Sequence, residues 1–361
     1  ETDVDTDLVS RADSGDDPET ESNPAPEISD PGLTAEREAT LDEDAVSGVV
    51  VSASGKEDLE SYAIGFAAGG TFGIGIGAAI NVVDTTVNAA IGAGAQVNRT
   101  GDDGADAQSV VVNAVTDFSH VGVGTGVGIG GTAAVAPGVD ISTLVLDVDA
   151  TIGLGAAVEA ENDVVVSADA KEDFFILGVG AAVGGTVGIG GGVAVVSIDN
   201  EVDAGIGADA IVVAGGDVAV SATDNTEHTL IVGGAGFSGV AGIGLSVDVV
   251  ILEKDTNAYI GDRAQVDALG AGTGIDGALD GTRDINGKID TTEGHGVIVL
   301  ARSSEDLLHL AFAAGAGTVG VAGAVNVTVV DSDTFATVGE DAQINLSLIH
   351  ISEPTRRTPI S

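Results

Sequence analysis

The sequence predicts an all-β protein, a repetitive parallel β-solenoid built from units of about 54 residues and preceded by a disordered acidic segment. Glycine supplies 55 of the 361 residues, aromatic residues make up only 3%, and Cys, Met and Trp are absent. The core must therefore be built from Val, Ile, Ala and Gly, in thin layers with many tight turns. From Ser47 onward apolar and polar residues alternate as they do in strands. Two short motifs also recur along the chain with nearly the same series of spacings, which is typical of stacked repeats.

The two ends of the chain differ in composition from the repeats. Residues 1–46 are rich in Asp, Glu, Ser, Thr and Pro, and we predict a disordered acidic linker there. The chain begins at Glu1 rather than Met, so we expect a segment to precede it in the natural protein. Residues 346–361, LSLIHISEPTRRTPIS, resemble the translated read-through of a sequencing-library adapter. We predict that they are a non-native tail; a genuine basic tail is the alternative.

Two anchors define the repeat over residues 47–345. The first, a strand motif of the form VVVxA, begins at Val49, Val110, Val164, Val218 and Val297, with spacings of 61, 54, 54 and 79 residues. The second, an Ile-Gly step, begins at Ile91, Ile152, Ile206, Ile260 and Val338, with spacings of 61, 54, 54 and 78 residues. Since two independent anchors give nearly the same series, the period belongs to the fold. The longer spacings predict one insertion around Gly101 to Gln108 and a loop insertion at about 271–296.

Each unit has two unlike halves. The half of the form IGxxAxVxAxxDVxVxA predicts short strands separated by turns of one to three residues. The other half is long, apolar and studded with glycine, as in Leu177 to Ile198 and Ile64 to Val83. Strands that are apolar on both faces are expected to be buried on both faces or to lie against lipid, whereas membrane helices are disfavoured by this much glycine. Stacking of these units predicts the solenoid, with either one large coil or two smaller coils per unit.

The recurring pattern AxIGxxAxVxAxxDVxVxA, followed by a GxGxGxxG apolar stretch, resembles the repeat region of giant filamentous-haemagglutinin-like and leukotoxin-like bacterial surface adhesins. The resemblance covers residues 47–345. It implies a secreted, elongated stalk at the cell surface that presents contact surfaces to cells, matrix or polysaccharide. It brings no catalytic residue with it.

The formal net charge of −45, from 57 acidic and 12 basic residues, excludes nucleic acid as an expected partner and disfavours insertion into anionic membranes. Cations are the expected partners. The same acidity suits a salt-adapted organism, and the absence of Cys excludes disulfides and thiolate metal sites.

Two series of acidic residues recur in step with the repeat. The first contains Glu57, Asp58, Glu172, Asp173, Glu227, Glu305 and Asp306, and the second contains Asp84, Asp147, Asp199, Asp255, Asp331 and Asp333. If one unit is one coil, equivalent carboxylates lie about 5 Å apart in neighbouring coils and repel unless cations lie between them. The series predict either cation-dependent stability or a solvated, merely halophilic surface.

A calcium site is predicted in the longer insertion. The segment TRDINGKIDTTE, from Thr282 to Glu293, follows the twelve-residue calcium-loop pattern, and its candidate Ca2+ ligands are Asp284, Asn286, Asp290 and Glu293. Thr282 stands where the pattern has Asp, and no helical flanks are apparent. An ordinary acidic loop is the alternative.

The remaining signals are weaker. We expect His120, His228 and His309, each near the start of a Gly-rich stretch, to be polar residues at strand ends. The predicted function is a structural and adhesive stalk segment without enzyme activity, extracellular or on the cell surface, forming an elongated particle. One alternative is a carbohydrate-active parallel β-helix enzyme that uses a carboxylate pair. The other is a membrane-inserting toxin passenger.

Overall fold

A computed structural model describes residues 47–98, 108–271, 274–283 and 289–346. All regular elements within these ranges are strands, which confirms the all-β prediction. The predicted linker at 1–46, and all of the 346–361 tail except Leu346, lie outside the described residues. Among the described residues, no helix has the length and apolar character needed to cross a membrane.

Apart from one hairpin, the strands form three parallel sheets, each of which takes one segment from every coil. Sheet A contains β1 (Gly48–Gly69), β5 (Ser109–Gly130), β8 (Val164–Gly184), β11 (Val218–Ser238) and β16 (Val297–Ala316). Sheet B contains β2 (Phe72–Ile74), β3 (Gly77–Ile91), β6 (Ala133–Ile152), β9 (Val187–Ile206), β12 (Ala241–Ile260) and β17 (Val319–Val338). In the first coil the segment of sheet B is divided into two strands, β2 and β3. Sheet C contains β4 (Gln96–Val97), β7 (Ala157–Ala160), β10 (Ile211–Ala214), β13 (Gln265–Ala268) and β18 (Gln343–Leu346).

One repeat unit is one coil. The chain runs along a long strand of sheet A, turns tightly, returns along sheet B and crosses a short strand of sheet C to the next coil. In sheet A, Val49 pairs with Val110, Val110 with Val164, Val164 with Val218 and Val218 with Val297, so the pairing offsets equal the spacings of the first motif. The chain is therefore a parallel β-solenoid, as predicted, and the choice between one and two coils per unit is settled.

The difference between the last two spacings, 79 against 78, has a structural origin. Phe237 pairs with Ala316 in sheet A, whereas Ala241 pairs with Val319 in sheet B. The turn between β16 and β17 is thus one residue shorter than the equivalent turn between β11 and β12, while the flanking strands keep their register.

The prediction of short strands in the IGxxAxVxAxxDVxVxA half of the unit is confirmed for sheet C and is wrong for the VxVxA end, which begins a long strand of sheet A. Strands of sheets A and B run for about 20 residues because the alternation continues through inward polar residues such as Asp224 and His120. These residues find partners across the core, so they do not end the strand. Only sheet C has strands of the predicted short length.

The coil has a wide end and a narrow end. At the wide end the three sheets enclose one continuous core of Val, Ala, Ile, Leu and Phe side chains. Toward the turn between sheets A and B, the inward positions become glycine and alanine, and the two sheets meet almost backbone to backbone. A Cβ atom at Gly124 would overlap the carbonyl oxygen of Val139, and one at Gly138 would overlap that of Val179. We call this two-sheet region, residues 62–83, 121–145, 175–197, 229–251 and 308–329, the blade.

Of the two alternatives for the blade strands, burial on both faces is wrong, and contact with lipid stays a prediction. In the inner coils the inward residues are buried, but outward residues are open to solvent: Val183 is 49% exposed and Leu245 is 48% exposed. The sequence predicts apolar character on both sides of these strands, but it does not show that the inner side consists mainly of glycine and alanine, which leave no space between the two sheets.

The Asp of the repeated pattern IGxxAxVxAxxDVxVxA lies at the turn into sheet A and bonds to the next coil. The carboxylate oxygen Oδ1 of Asp163 accepts a hydrogen bond of 2.7 Å from the backbone N–H of Asp217 in the next coil. The side chain thus replaces a missing backbone acceptor and ties neighbouring coils together.

Both insertions enter at the same corner, between sheet C and sheet A. The longer insertion contains an antiparallel hairpin of β14 (Ile275–Arg283) and β15 (Ile289–Gly294). Ile275 packs with Val111, Val165 and Ala219 on the outer face of sheet A. The hairpin therefore covers the start of that sheet.

Candidate functional site

The outer face of sheet B carries three adjacent rows of carboxylates at the wide end of the coil. Outward residues at equivalent positions pair directly between coils, as Asp147 does with Glu201, Glu201 with Asp255, and Asp255 with Asp333. We call these the acidic rows, and their members are Asp84, Asp199, Glu253 and Asp331 in the first, Asp147, Glu201, Asp255 and Asp333 in the second, and Asp149 and Asp203 in the third. The predicted alignment of the second series is confirmed, and Glu201, Glu253, Asp149 and Asp203 extend it.

Three members of the acidic rows, Asp149, Glu201 and Asp203, have a raised pKa and so hold their protons more tightly than isolated carboxylates. Partial burial, and then the charge of Asp147, raise the pKa of Asp149. Burial, followed by the charges of Asp203 and Asp147, raises the pKa of Glu201. Asn257 donates a hydrogen bond of 3.0 Å to Asp203, which relieves only part of the repulsion in the third row. Such a surface favours bound or condensed cations.

The first acidic series is divided between the two faces of sheet A. Asp58, Asp173, Glu227 and Asp306 share one outward row. Glu57, Glu172 and Glu305, by contrast, point inward, and Glu172 is fully buried. These three residues are at equivalent positions, as predicted, but Phe118 and Thr226 lie between them, so they form no ladder of neighbouring carboxylates. They face the core because adjacent positions on a strand face opposite sides.

The predicted calcium loop lies at the hairpin of the longer insertion. Asp284 and Asn286 lie outside the described residues. Asp290 and Glu293 are both in β15, where Glu293 is exposed. Within the described ranges, no group of three or more His, Asp or Glu side chains is arranged to hold a metal ion. The calcium site stays a prediction.

The prediction that His120, His228 and His309 are at strand ends is wrong. They lie within sheet A strands, point into the core and form a column with Phe174. The ring centroids are 5.9 Å apart from His120 to Phe174, 5.5 Å from Phe174 to His228 and 5.0 Å from His228 to His309. Burial, with the charges of His309 and His120, lowers the pKa of His228 to about 3, so its ring is neutral at pH 7.

His120, Ser142 and Asp140 form a buried polar network whose residue types match a hydrolase triad. Its connections differ from a triad, because the Ser142 hydroxyl donates to Asp140 at 2.8 Å while the His120 Nδ1 atom contacts the carbonyl of Leu59 at 3.0 Å. Each of the three side chains is at most 3% exposed. The network therefore lies inside the coil and offers no surface to a substrate.

A second buried network surrounds Lys254 on β12. Its Nζ atom lies 3.0 Å from Oδ1 of Asp224, and both side chains are completely inaccessible to solvent. Nζ also donates to Thr226 Oγ1 at 2.9 Å, and the Thr226 hydroxyl donates to Glu172 Oε2 at 2.8 Å. Glu305 of the next coil approaches to 3.4 Å and is 24% exposed. The sequence does not predict this network, because Lys254 is 30 residues from Asp224 and 82 residues from Glu172 along the chain.

Both faces of the blade form large apolar surfaces. Among exposed residues are Phe66 and Phe237 on sheet A, and Ile80, Leu245 and Val325 on sheet B. Within the blade the acidic residues are Asp140 and Asp248, which point inward and are buried. A chain with a net charge of −45 thus keeps a wide, uncharged surface at one end of every coil.

The fold and these surfaces define the chain as a parallel β-solenoid with an acidic face and an apolar blade. No family model matches it, and neither the curated proteins nor the solved structures contain a match.

Proposed function

We propose that the chain is a non-catalytic structural and adhesive segment of a large extracellular or cell-surface protein, stabilised by cations. The observation that carries this proposal is the unbroken pairing of equivalent residues through five coils, which presents the same two outer faces at every level. The resemblance of its repeats to surface adhesins supports the same function.

The dimensions of the coil indicate what kind of segment this is. A strand of 20 residues is about 66 Å long, whereas each coil adds only about 4.8 Å along the solenoid axis. The five coils thus add up to about 24 Å along the solenoid axis, and the elongated particle stays a prediction. Each added unit therefore enlarges the outer faces more than it lengthens the solenoid. Such a segment is better suited to adhesion than to holding other domains at a distance.

The blade is the best-suited contact surface. Large exposed apolar patches on soluble proteins mark interaction sites. The sheet B face of the blade measures about 43 by 24 Å, or about 1,000 Å², which exceeds the roughly 800 Å² per partner of a standard interface. We propose a cell-surface, matrix or polysaccharide ligand with apolar faces for this surface, and cations as the partners of the acidic rows.

Binding of the full chain to immobilised cells, matrix proteins and neutral polysaccharides tests the adhesive function. Val179→Asp places a charge on the sheet A face of the blade and Val193→Asp places one on the sheet B face. Thr151→Asp adds the same charge to an outward position at the wide end and is the matched control. We expect saturable binding that one blade variant abolishes and the control retains. Equal binding by all four proteins, or binding by none, would refute the adhesive role of the blade.

Circular dichroism with thermal melting tests the cation requirement, in chelator at low salt, in molar KCl, and in millimolar CaCl2 at low salt. We expect stabilisation by molar KCl. A further cooperative gain in calcium alone would support specific sites such as the 284–293 loop, and the absence of any cation effect would refute cation stabilisation.

A further inference from the structure

The network around Lys254 brings an amine and a carboxyl group into contact where water is absent. Lys254 is on sheet B and Asp224 is on sheet A, and their side chains meet across the core of one coil with Nζ and Oδ1 3.0 Å apart. Lys254, Glu172 and Asn200 all lie beside the Asp224 carboxyl group, but no well-aligned hydrogen bond reaches either of its oxygens. The contact is thus close but is not the directed pairing that a buried ion pair needs in order to be stable.

We propose that Lys254 and Asp224 become joined by an amide bond between their side chains, and that Glu172 transfers the protons of this reaction. The bond would be an internal cross-link between strands β11 and β12. It does not depend on the adhesive function proposed above.

Burial makes the required protonation states accessible. The proposed reaction starts with transfer of one proton from the ammonium group to Asp224, and a core that solvent cannot reach lowers the cost of replacing two buried charges with two neutral groups. Burial raises the pKa of Asp224, although Lys254, Glu172 and Asn200 beside it oppose the shift. Burial and the charge of Asp224 raise the pKa of Glu172 well above its usual range, so Glu172 is protonated and able to act as an acid.

The surrounding groups orient the amine. A neutral amine has two N–H bonds and one lone pair. One N–H bond is directed to Thr226 Oγ1 at 2.9 Å, and the second has the backbone carbonyls of Asp224 and Ser304 as acceptors, each at 3.4 Å. The lone pair is then left to face the carboxyl group of Asp224. Fixing two reacting groups at contact distance replaces a slow bimolecular step with an intramolecular one.

The reaction balances without an oxidant or another reactant. Nζ attacks Cγ of Asp224, and a C–N bond forms as Glu172 donates a proton to the carboxyl oxygen. The C–O bond then breaks, one water molecule leaves, and the surplus proton of the nitrogen returns to Glu172. The products are one amide and one water, and Glu172 is regenerated.

Glu305 is a poorer partner for the amine. Its carboxyl group is 24% exposed, and Nζ lies farther from it, at 3.4 Å. Burial alone would raise its pKa, but the hydrogen bonds from Ser303 and Ser332 and the charge of Lys254 together lower the pKa of Glu305. It therefore remains an ionised carboxylate, which does not accept a nucleophile.

Only one coil of the five contains this combination. The positions equivalent to Lys254 are Thr85, Leu146, Asn200 and Ser332, and those equivalent to Asp224 are Gly55, Thr116, Ala170 and Ser303. The neighbouring coils thus act as internal controls, and a single cross-link is expected per chain.

Intact-mass spectrometry of the folded full chain, followed by peptide mapping, tests the proposal. We expect a mass about 18 Da below that of the sequence, the loss of one water. We also expect a branched peptide that joins residues 224 and 254, and resistance to trypsin after Lys254. Lys254→Arg keeps the positive charge without a reactive amine and should restore the full mass. Glu172→Gln should leave most of the chain unlinked.

The wild-type measurement decides the outcome even if a variant fails to fold. Full sequence mass in a wild-type chain whose circular dichroism shows the β-signal would overturn the proposal. So would a water loss that maps elsewhere, for example to the Asp276-Gly277 step.

Discussion

Replacing Glu201 with glutamine tests whether the acidic rows repel one another in the folded chain. Glu201 lies in the middle of its row, with Asp147 on one side and Asp255 on the other. Neighbouring strands are about 4.8 Å apart, and two unit charges at that distance in water interact by about 0.9 kcal/mol. Two neighbours give about 1.7 kcal/mol as an upper value. Because exposed side chains splay apart, we expect Glu201→Gln to raise the free energy of unfolding by about 1 kcal/mol at low salt.

Salt should remove this gain. The Debye length falls to about 3 Å at 1 M salt, which leaves about a fifth of the interaction at a separation of 4.8 Å. The assay is urea denaturation followed by circular dichroism, with chelator, in 10 mM and 1 M KCl. Asp84→Asn is the matched control, because Asp84 belongs to the acidic rows but pairs with Val145. Its stability should change by less than half as much.

The outcome separates repulsion from cation binding. A destabilising effect of Glu201→Gln in chelator, or a gain of equal size in 1 M KCl, would refute the repulsion argument. A loss of stability that occurs only when calcium is present would instead identify Glu201 as part of a specific cation site.

Three further predictions concern the interior. Gly124→Ala should lower the free energy of unfolding by about 1–3 kcal/mol because the sheets cannot separate, whereas Gly70→Ala, which meets no atom within 4 Å, should be nearly neutral in the same urea titration. Burial raises the pKa of Asp248 to about 6, so the stability linked to its protonation is complete below pH 4 and is lost as the pH rises through 6. Asp248→Asn should therefore raise the free energy of unfolding at pH 7 and not at pH 4. An equal effect at both pH values would contradict the pKa shift. The lowered pKa of His228 gives stability the opposite pH dependence, because the stability linked to the neutral ring is present above pH 6.5 and is lost on acidification. His228→Phe, which copies Phe174 of the preceding coil, should therefore raise the thermal midpoint at pH 5 more than at pH 8. A uniform change would show that packing alone is altered.

Much of the fold follows from the sequence because repetition exposes it. Val110, Val164 and Val218 recur at the spacing at which they pair in sheet A, so the register could be read from the motif alone. The lengths of the strands could not, because inward Asp224 and Lys254 look like the end of an apolar pattern until their partners are known. Those partners lie in other strands.

The acidic surface shows the same division. Asp147, Asp255 and Asp333 each lie five residues before the second motif. That common distance predicts that they share one row, and they do. Glu172 and Asp173 are adjacent in sequence, yet one points inward and the other outward. Which of the two faces the core depends on the parity of a strand whose start the sequence does not fix to one residue.

The common position of the two insertions has a consequence for how such a chain can vary. Both extra segments leave the coil between sheet C and sheet A, and the pairing on either side resumes in register. That corner therefore tolerates additions of very different length, while a change of one residue within a long strand would turn its glycine face outward. Variation that accumulates there would be displayed as a single line of loops along the axis. Duplication of whole units would lengthen that line without disturbing it.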